Sequence, residues 1–179
     1  MKKFQICSRE IILKNPWIPV ERQMVILPNG ERAEWFLALG KKVVVVVPML
    51  KNGEIALQKA YKHGAGKIIF EFCAGIVESG ENLKTAAARE LAEETGFSAE
   101  KLTKIGEVFG NPTGGTTKYF YFLAENCEKK FPQKLDPAEQ IENFSVQNIA
   151  AAKDFLTKNP SSAAAIAAIC FVENFFKSR

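Results

Sequence analysis

The sequence predicts a mixed α/β fold, either an α/β sandwich or an α+β arrangement, on three observations. Many short segments read as strands, among them a run of five valines at 43–47 that suits a buried strand. Two or three segments read as helices, and the last of them close the chain. The 179 residues are 47% hydrophobic and 25% charged, enough apolar material for one sizeable core.

Taken in order, the segments 22–27 and 33–39 flank Pro28-Asn29-Gly30, and Asn-Gly between apolar runs is a strong hairpin signal. After the valine run, a Lys51-Asn52-Gly53 turn leads to a strand at 54–60, and 67–72 reads as another. Residues 82–95 are alanine-rich with Glu, Lys, Leu and Arg, which predicts a helix stopped by Gly96. Segments 101–109 and 118–126 read as strands joined by the turn-rich loop 110–117. A polar loop at 132–140 precedes a short strand at 141–146. Residues 146–159 read as a helix ended before Pro160, and a closing helix is capped by Ser161 or Ser162. A soft boundary near Gly40 separates an N-terminal β-hairpin subdomain, 1–40, from the main body, 41–179.

Composition narrows the function classes. The net charge of +4 is mild and its lysines and arginines are dispersed, so no nucleic-acid patch is read. Four scattered cysteines and a single histidine argue against a zinc site. No signal-peptide run follows the basic start, and the longest apolar stretches are too short to span a bilayer, which points to the cytoplasm.

Against this background residues 75–97 stand out, ending in Glu90, Glu93 and Glu94. On a helix these positions share one face, where like charges repel. A bound cation relieves that repulsion, and carboxylates with substrate phosphate are the ligands Mg²⁺ prefers. A solvated acidic face is the plainer reading of three glutamates alone. Gly75 and Gly80 allow sharp backbone turns before the helix, and Arg89 is placed to pair with Glu81 or another carboxylate.

The full spacing, G-x5-E-x7-R-E-L-x-E-E-x-G-F from Gly75 through Glu81, Arg89, Glu90, Leu91, Glu93, Glu94 and Gly96 to Phe97, resembles the signature of the Nudix hydrolase family at every fixed position. The resemblance implies an α/β/α sandwich around a mixed sheet, and Mg²⁺- or Mn²⁺-dependent cleavage of a nucleoside diphosphate linked to another moiety. It implies Glu90 and Glu94 as metal ligands, Glu93 as a further ligand or base, the Ala74 carbonyl and Gly75 completing the site, and Glu81 and Arg89 in support.

Further marks resemble the ADP-ribose pyrophosphatase branch, from about Asn15 onward. Residues 60–75 are similar to its "QYRH…ELPAG" run, with Lys62 for arginine and Cys73 for proline. Pro112 lies 15 residues past Phe97, where members acting on ADP-ribose carry a proline. Residues 136–142 resemble the acidic loop that carries the branch's general base, which places that role on Glu139. The resemblance implies substrate contacts from Lys62, Pro112, Gly114 and Thr117, and a homodimer built through the N-terminal sheet. Two departures stand out: Thr117 replaces a glutamate, and Lys62 lacks arginine's two-pronged grip on phosphate. His63 reads as structural or exposed, with a hydrogen bond to substrate as the alternative, and Trp17, Trp35 and Phe36 read as core or interface residues, with stacking on an adenine as the alternative. The alternatives are hydrolysis of another nucleotide (NADH, a dinucleoside polyphosphate or a nucleoside triphosphate), or a non-catalytic nucleotide-binding regulator. Which base and sugar are recognised rests with loops 111–118 and 132–140.

Overall fold

The computed structural model describes all 179 residues, and the chain divides into two compact units. Residues 1–42 with 109–118 form one, and residues 43–108 with 119–179 the other.

The smaller unit is a three-stranded antiparallel sheet in the order β1 (Gln5–Leu13), β2 (Val20–Ile26), β3 (Arg32–Ala38). The expected hairpin is therefore two strands of a three-stranded sheet. β1 had no turn signal on its N-terminal side to announce it, and it is exposed along its whole length, Ile6, Ile11, Ile12 and Leu13 included. Loop 110–117 belongs to this unit and attaches to the end of β3. The Ala38 amide donates to the Gly114 carbonyl (2.9 Å), the Thr116 amide to the Ala38 carbonyl (3.1 Å), and Trp35 Nε1 to the Thr113 carbonyl (3.0 Å).

The larger unit is built on an eight-stranded sheet. Its strands are β4 (Lys42–Leu50), β5 (Ile55–Lys62), β6 (Lys67–Glu71), β7 (Cys73–Ile76), β8 (Phe97–Ser98), β9 (Lys101–Phe109), β10 (Lys118–Lys129) and β11 (Ile141–Val146). The backbone order is β11-β5-β4-β10-β8, with β6 on β5, β7 on β4 and β9 on β10. Residues 67–76, read in part as one strand, are two, broken at Phe72, so that β7 runs antiparallel to β4 and sets Ala74 and Gly75 beside Val45 and Val44.

Alternation along the central strands makes the layers. Val44 and Val46 of β4 join Phe120, Phe122 and Ala124 of β10 against Ala86, Ala87 and Leu91 of helix α1 (Leu83–Glu90) and the turn after it. Val45, Val47, Tyr121 and Leu123 face the other way, onto α2 (Ile149–Lys158) and α3 (Ala163–Lys177). This is the expected α/β/α sandwich. α2 begins at Ile149 and not at Val146, because Val146 pairs with Ile55 in the sheet and the Asn148 side chain caps the helix by accepting the Ala151 amide. No helix is long and apolar enough to cross a membrane.

Candidate active site

Helix α1 starts where the Asn82 side chain accepts the Thr85 amide at 2.9 Å. It does not continue as an α-helix to Thr95, as the spacing predicted. From Leu91 to Thr95 it widens into a π turn, closed by Gly96 in the left-handed conformation (φ 72°). Because the helix stops at Gly96, the carbonyls of Glu93 and Glu94 in its last turn are left to partners outside it: the Lys134 amide donates to the first (2.8 Å), and the side-chain amides of Gln133 (2.6 Å) and Asn143 (2.9 Å) to the second.

On the α1 side of the site, Arg89 binds carboxylates with four of its five donors and a main-chain carbonyl with the fifth. Nε and Nη2 donate to the two oxygens of Glu81, each at 3.0 Å. Nη1 donates to Glu90 (2.7 Å) and Glu93 (3.1 Å), and Nη2 also to the Ile76 carbonyl (2.9 Å). These contacts use all five guanidinium N–H groups. The Arg89 hydrogen bonds hold the Glu81 carboxyl below its usual range, and in return the carboxylates push the guanidinium pKa up.

Glu94 is in the opposite situation. It is 5% exposed, and its carboxylate accepts from Gln58 Nε2 (3.1 Å), from the Ala74 amide (3.1 Å) and from the Cys73 thiol. All three donors are neutral. Burial therefore pushes the Glu94 carboxyl up to about 7, the hydrogen bonds opposing it only in part. Burial also raises Glu90, which Arg89 counters, while the negative charges of Glu93 and Glu139 push the same way as burial. Cys73 is buried too, and burial followed by the charge of Glu94 keeps it a thiol.

Gly75 fits because it has no side chain: a Cβ there would overlap the Glu90 carboxylate. Glu93 is more open, its side chain 36% exposed. Glu139 sits in the exposed loop, where its carboxylate accepts the Asp136 amide (2.9 Å) and its own amide donates to the Asp136 carbonyl (2.9 Å). Ala74 thus meets Glu94 through its amide.

The remaining sequence candidates are placed as follows. Lys62 forms an ion pair with Glu71, across the β5–β6 pair. In the smaller unit, Pro112 is exposed, the Gly114 carbonyl accepts the Ala38 amide while the Gly114 amide donates to Asn111 Oδ1 (3.2 Å), and Thr117 lies against Gly40, where no Cβ would fit. There Trp35 meets Phe4 edge-on (5.4 Å between centroids), while Trp17 and Phe36 are exposed. In the larger unit His63 is exposed near Tyr61.

Sequence reasoning missed Gln58, Gln133 and Asn143. Gln58 carried a signal, a lone amide directly after the apolar run Ile55-Ala56-Leu57, and it is 2% exposed. Gln133 and Asn143 carried none, because only the sheet register that sets Asn143 opposite Gln58 brings them to residue 94.

The residues fit a hard divalent cation: two buried carboxylates, one of them lacking any cationic partner, beside a glycine notch. Comparison with known proteins agrees. The NUDIX domain pattern matches residues 40–166, and the chain belongs to the Nudix family. Among its relatives, an ADP-ribose pyrophosphatase of Bacillus subtilis is 32% identical over 142 residues, 78% of this chain and 76% of that protein. An ADP-ribose pyrophosphatase of Saccharomyces cerevisiae is 30% identical over 139 residues, 71% of this chain but 60% of the yeast protein's length. A crystal structure of an ADP compounds hydrolase superposes with a TM-score of 0.88 over 99% of this chain and 96% of that one, at 24% identity, a likeness of fold. Nudix hydrolases generally need a divalent metal.

Proposed function

We propose that this protein is a Mg²⁺- or Mn²⁺-dependent pyrophosphohydrolase that cleaves the diphosphate of ADP-ribose, or of a related nucleoside diphosphate sugar, to a nucleoside monophosphate and a sugar phosphate. The observation that carries the reading is Glu94: a buried carboxylate with three neutral donors and no cation, next to carboxylates that Arg89 holds in place. Glu90 and Glu94, with Glu93 and the main chain of Ala74, are the groups that would hold the ion, and Gly75 leaves Glu90 its room. Bound there, a divalent ion neutralises pyrophosphate charge and makes an attacking water more acidic.

The chain's own residues do the rest. Arg89 keeps Glu81 ionised and orients Glu90 and Glu93. Glu93 and Glu139 are the candidates to accept the water's proton, Glu93 being the more open of the motif carboxylates and Glu139 the loop carboxylate whose charge reaches Glu90. Lys62 and the loop with Pro112, Gly114 and Thr117 are the proposed substrate contacts. The exposed apolar residues of β1 support a homodimer through the three-stranded sheet of a 1–40 subdomain. The free cysteines, Cys7 and Cys170 exposed among them, suit a cytoplasmic protein.

A Mg²⁺-dependent hydrolysis panel tests the function: ADP-ribose, other nucleoside diphosphate sugars, NADH, diadenosine polyphosphates and nucleoside triphosphates, with products separated by chromatography. AMP and ribose 5-phosphate from ADP-ribose, well above all others, is the expected result. Preference for NADH or a triphosphate would move the substrate, and no turnover with retained metal and nucleotide binding would make the chain a binding module.

A further inference from the structure

We propose that Gln133 is a positioning residue, which clamps the loop carrying Glu139 onto the widened end of the carboxylate helix. The proposal rests on the reading that Glu94 and Glu139 act in the hydrolysis.

A regular α-helix consumes its own carbonyls, so only its last turn has any to offer. Here that last turn lies within the motif itself, so the carbonyls of Glu93 and Glu94 are open to partners. The amide nitrogen of Gln133 donates to the Glu94 carbonyl at 2.6 Å and reaches the Ile141 carbonyl at 3.5 Å. One side chain thereby ties together the helix end, the start of the 132–140 loop and the first residue of β11, where the loop ends. The backbone adds bonds beside it: Lys134 to Glu93, and Lys130 and Phe131 to Gly96 at 2.9 and 3.0 Å. Asn143 shares the Glu94 carbonyl from the sheet side.

Between the two ends pinned by Gln133, the loop has one tight turn, the reciprocal pairing of Asp136 and Glu139. Loop 134–140 has no other hydrogen bond to the helix than the Lys134 amide. Gln133 itself is solvent-accessible and touches no core cluster, so its amide is spent on geometry and not on packing. Bridged this way, the peptide of a candidate metal ligand and the loop of a candidate base keep a fixed spacing.

The test compares Gln133→Ala and the isosteric Gln133→Glu, which has no N–H to donate, with the wild-type protein. Three measurements are made: hydrogen exchange of the metal-free proteins, Mn²⁺ affinity from the free-ion paramagnetic resonance signal, and kcat and KM for the best substrate of the hydrolysis panel. The surface position leaves both variants folded. Expected are roughly tenfold faster exchange at the Lys134, Asp136 and Glu139 amides, kcat reduced roughly tenfold or more with KM little changed, and Mn²⁺ affinity within about twofold of wild type. Unchanged exchange overturns the clamp. Faster exchange with unaltered kcat overturns the positioning role. A fall in Mn²⁺ affinity matching the fall in kcat overturns it as well, assigning the effect to the metal ligands. If the wild-type protein hydrolyses nothing while the variants still exchange faster, it is the functional reading that fails, and the positioning role falls with it although the clamp stands.

Discussion

Glu81 and Glu94 belong to the same motif and are kept in opposite states. Glu81 has its cation built in, the two-pronged Arg89, whose hydrogen bonds hold its carboxyl below the usual range. Glu94 has been given hydrogen-bond donors but no charge, in a place too dry to ionise easily. A protein selected only for stability would have treated both alike, since an uncompensated buried carboxylate is costly. The difference separates a half of the site that the chain itself neutralises from a half that, on the proposed function, a divalent cation would complete.

Breaking the unfinished half should have the largest effect. Glu94→Gln keeps shape and loses charge. Hydrolysis should fall by more than the roughly 100-fold that loss of a supporting group costs at a metal site, and the rise in melting temperature on adding Mg²⁺ should disappear. Retained turnover would move the metal elsewhere. Breaking the finished half, by Arg89→Ala, should hurt both activity and fold. Glu81, Glu90 and Glu93 lose their common cation, and thermal unfolding without metal should show a loss of about 1–3 kcal/mol, with turnover down roughly 10–100-fold. A melting curve unchanged by the substitution would show that Arg89 is not structural.

Filling the notch comes next. Gly75→Ala places a methyl where the Glu90 carboxylate lies, and Mn²⁺ affinity should drop roughly tenfold. Calorimetric titration decides this, and an unaltered affinity would remove Glu90 from the ligand set.

The smallest effect is also the sharpest comparison. Folding raises the Glu94 carboxyl from 4.5 to about 7, so the folded state binds the extra proton. Its contribution to stability is fully present below about pH 4.5 and is lost as pH rises through about 7. Metal-free protein should therefore be more stable at pH 6 than at pH 8, by about 1 kcal/mol, or a few degrees in melting temperature. Saturating Mg²⁺ should erase the difference, because it stabilises the ionised form. Glu81, with its lowered carboxyl, contributes in the other direction only in stronger acid. A melting temperature flat from pH 6 to 8 without metal would refute the account of Glu94.

How much of this was legible in the sequence depended on whether the information was local. The Asn29-Gly30 turn, the valine strand, the Asn82-to-Gly96 helical segment and the spacing of Arg89 to Glu94 are short-range patterns, and they could be read directly. The partners of the helix end could not, because the Glu94 carbonyl is taken by side chains some 40 to 50 positions later in the chain, Gln133 and Asn143. Nor could the Ala74 amide be seen as a donor to Glu94, since that follows from β7 pairing with β4 after the break at Phe72. β1 stayed hidden because a strand exposed along its whole length has no inward-outward rhythm.

One feature of the core bears on how the chain finds this structure. β4 sends alternate residues to opposite layers, yet five consecutive residues of it, 43–47, are all valine. Sliding the strand by one position would exchange its two faces without changing their chemistry, so the valines carry no register information. That information must come from the neighbours: from the aromatic alternation of β10, and above all from the tight turn after Leu50. There the Gly53 amide donates to the Leu50 carbonyl, the Leu50 amide to the Glu54 carbonyl, and Met49 is left opposite Ile55. A single residue added to that turn would leave the valine run in place and shift its register against β5, so that Met49 no longer faced Ile55.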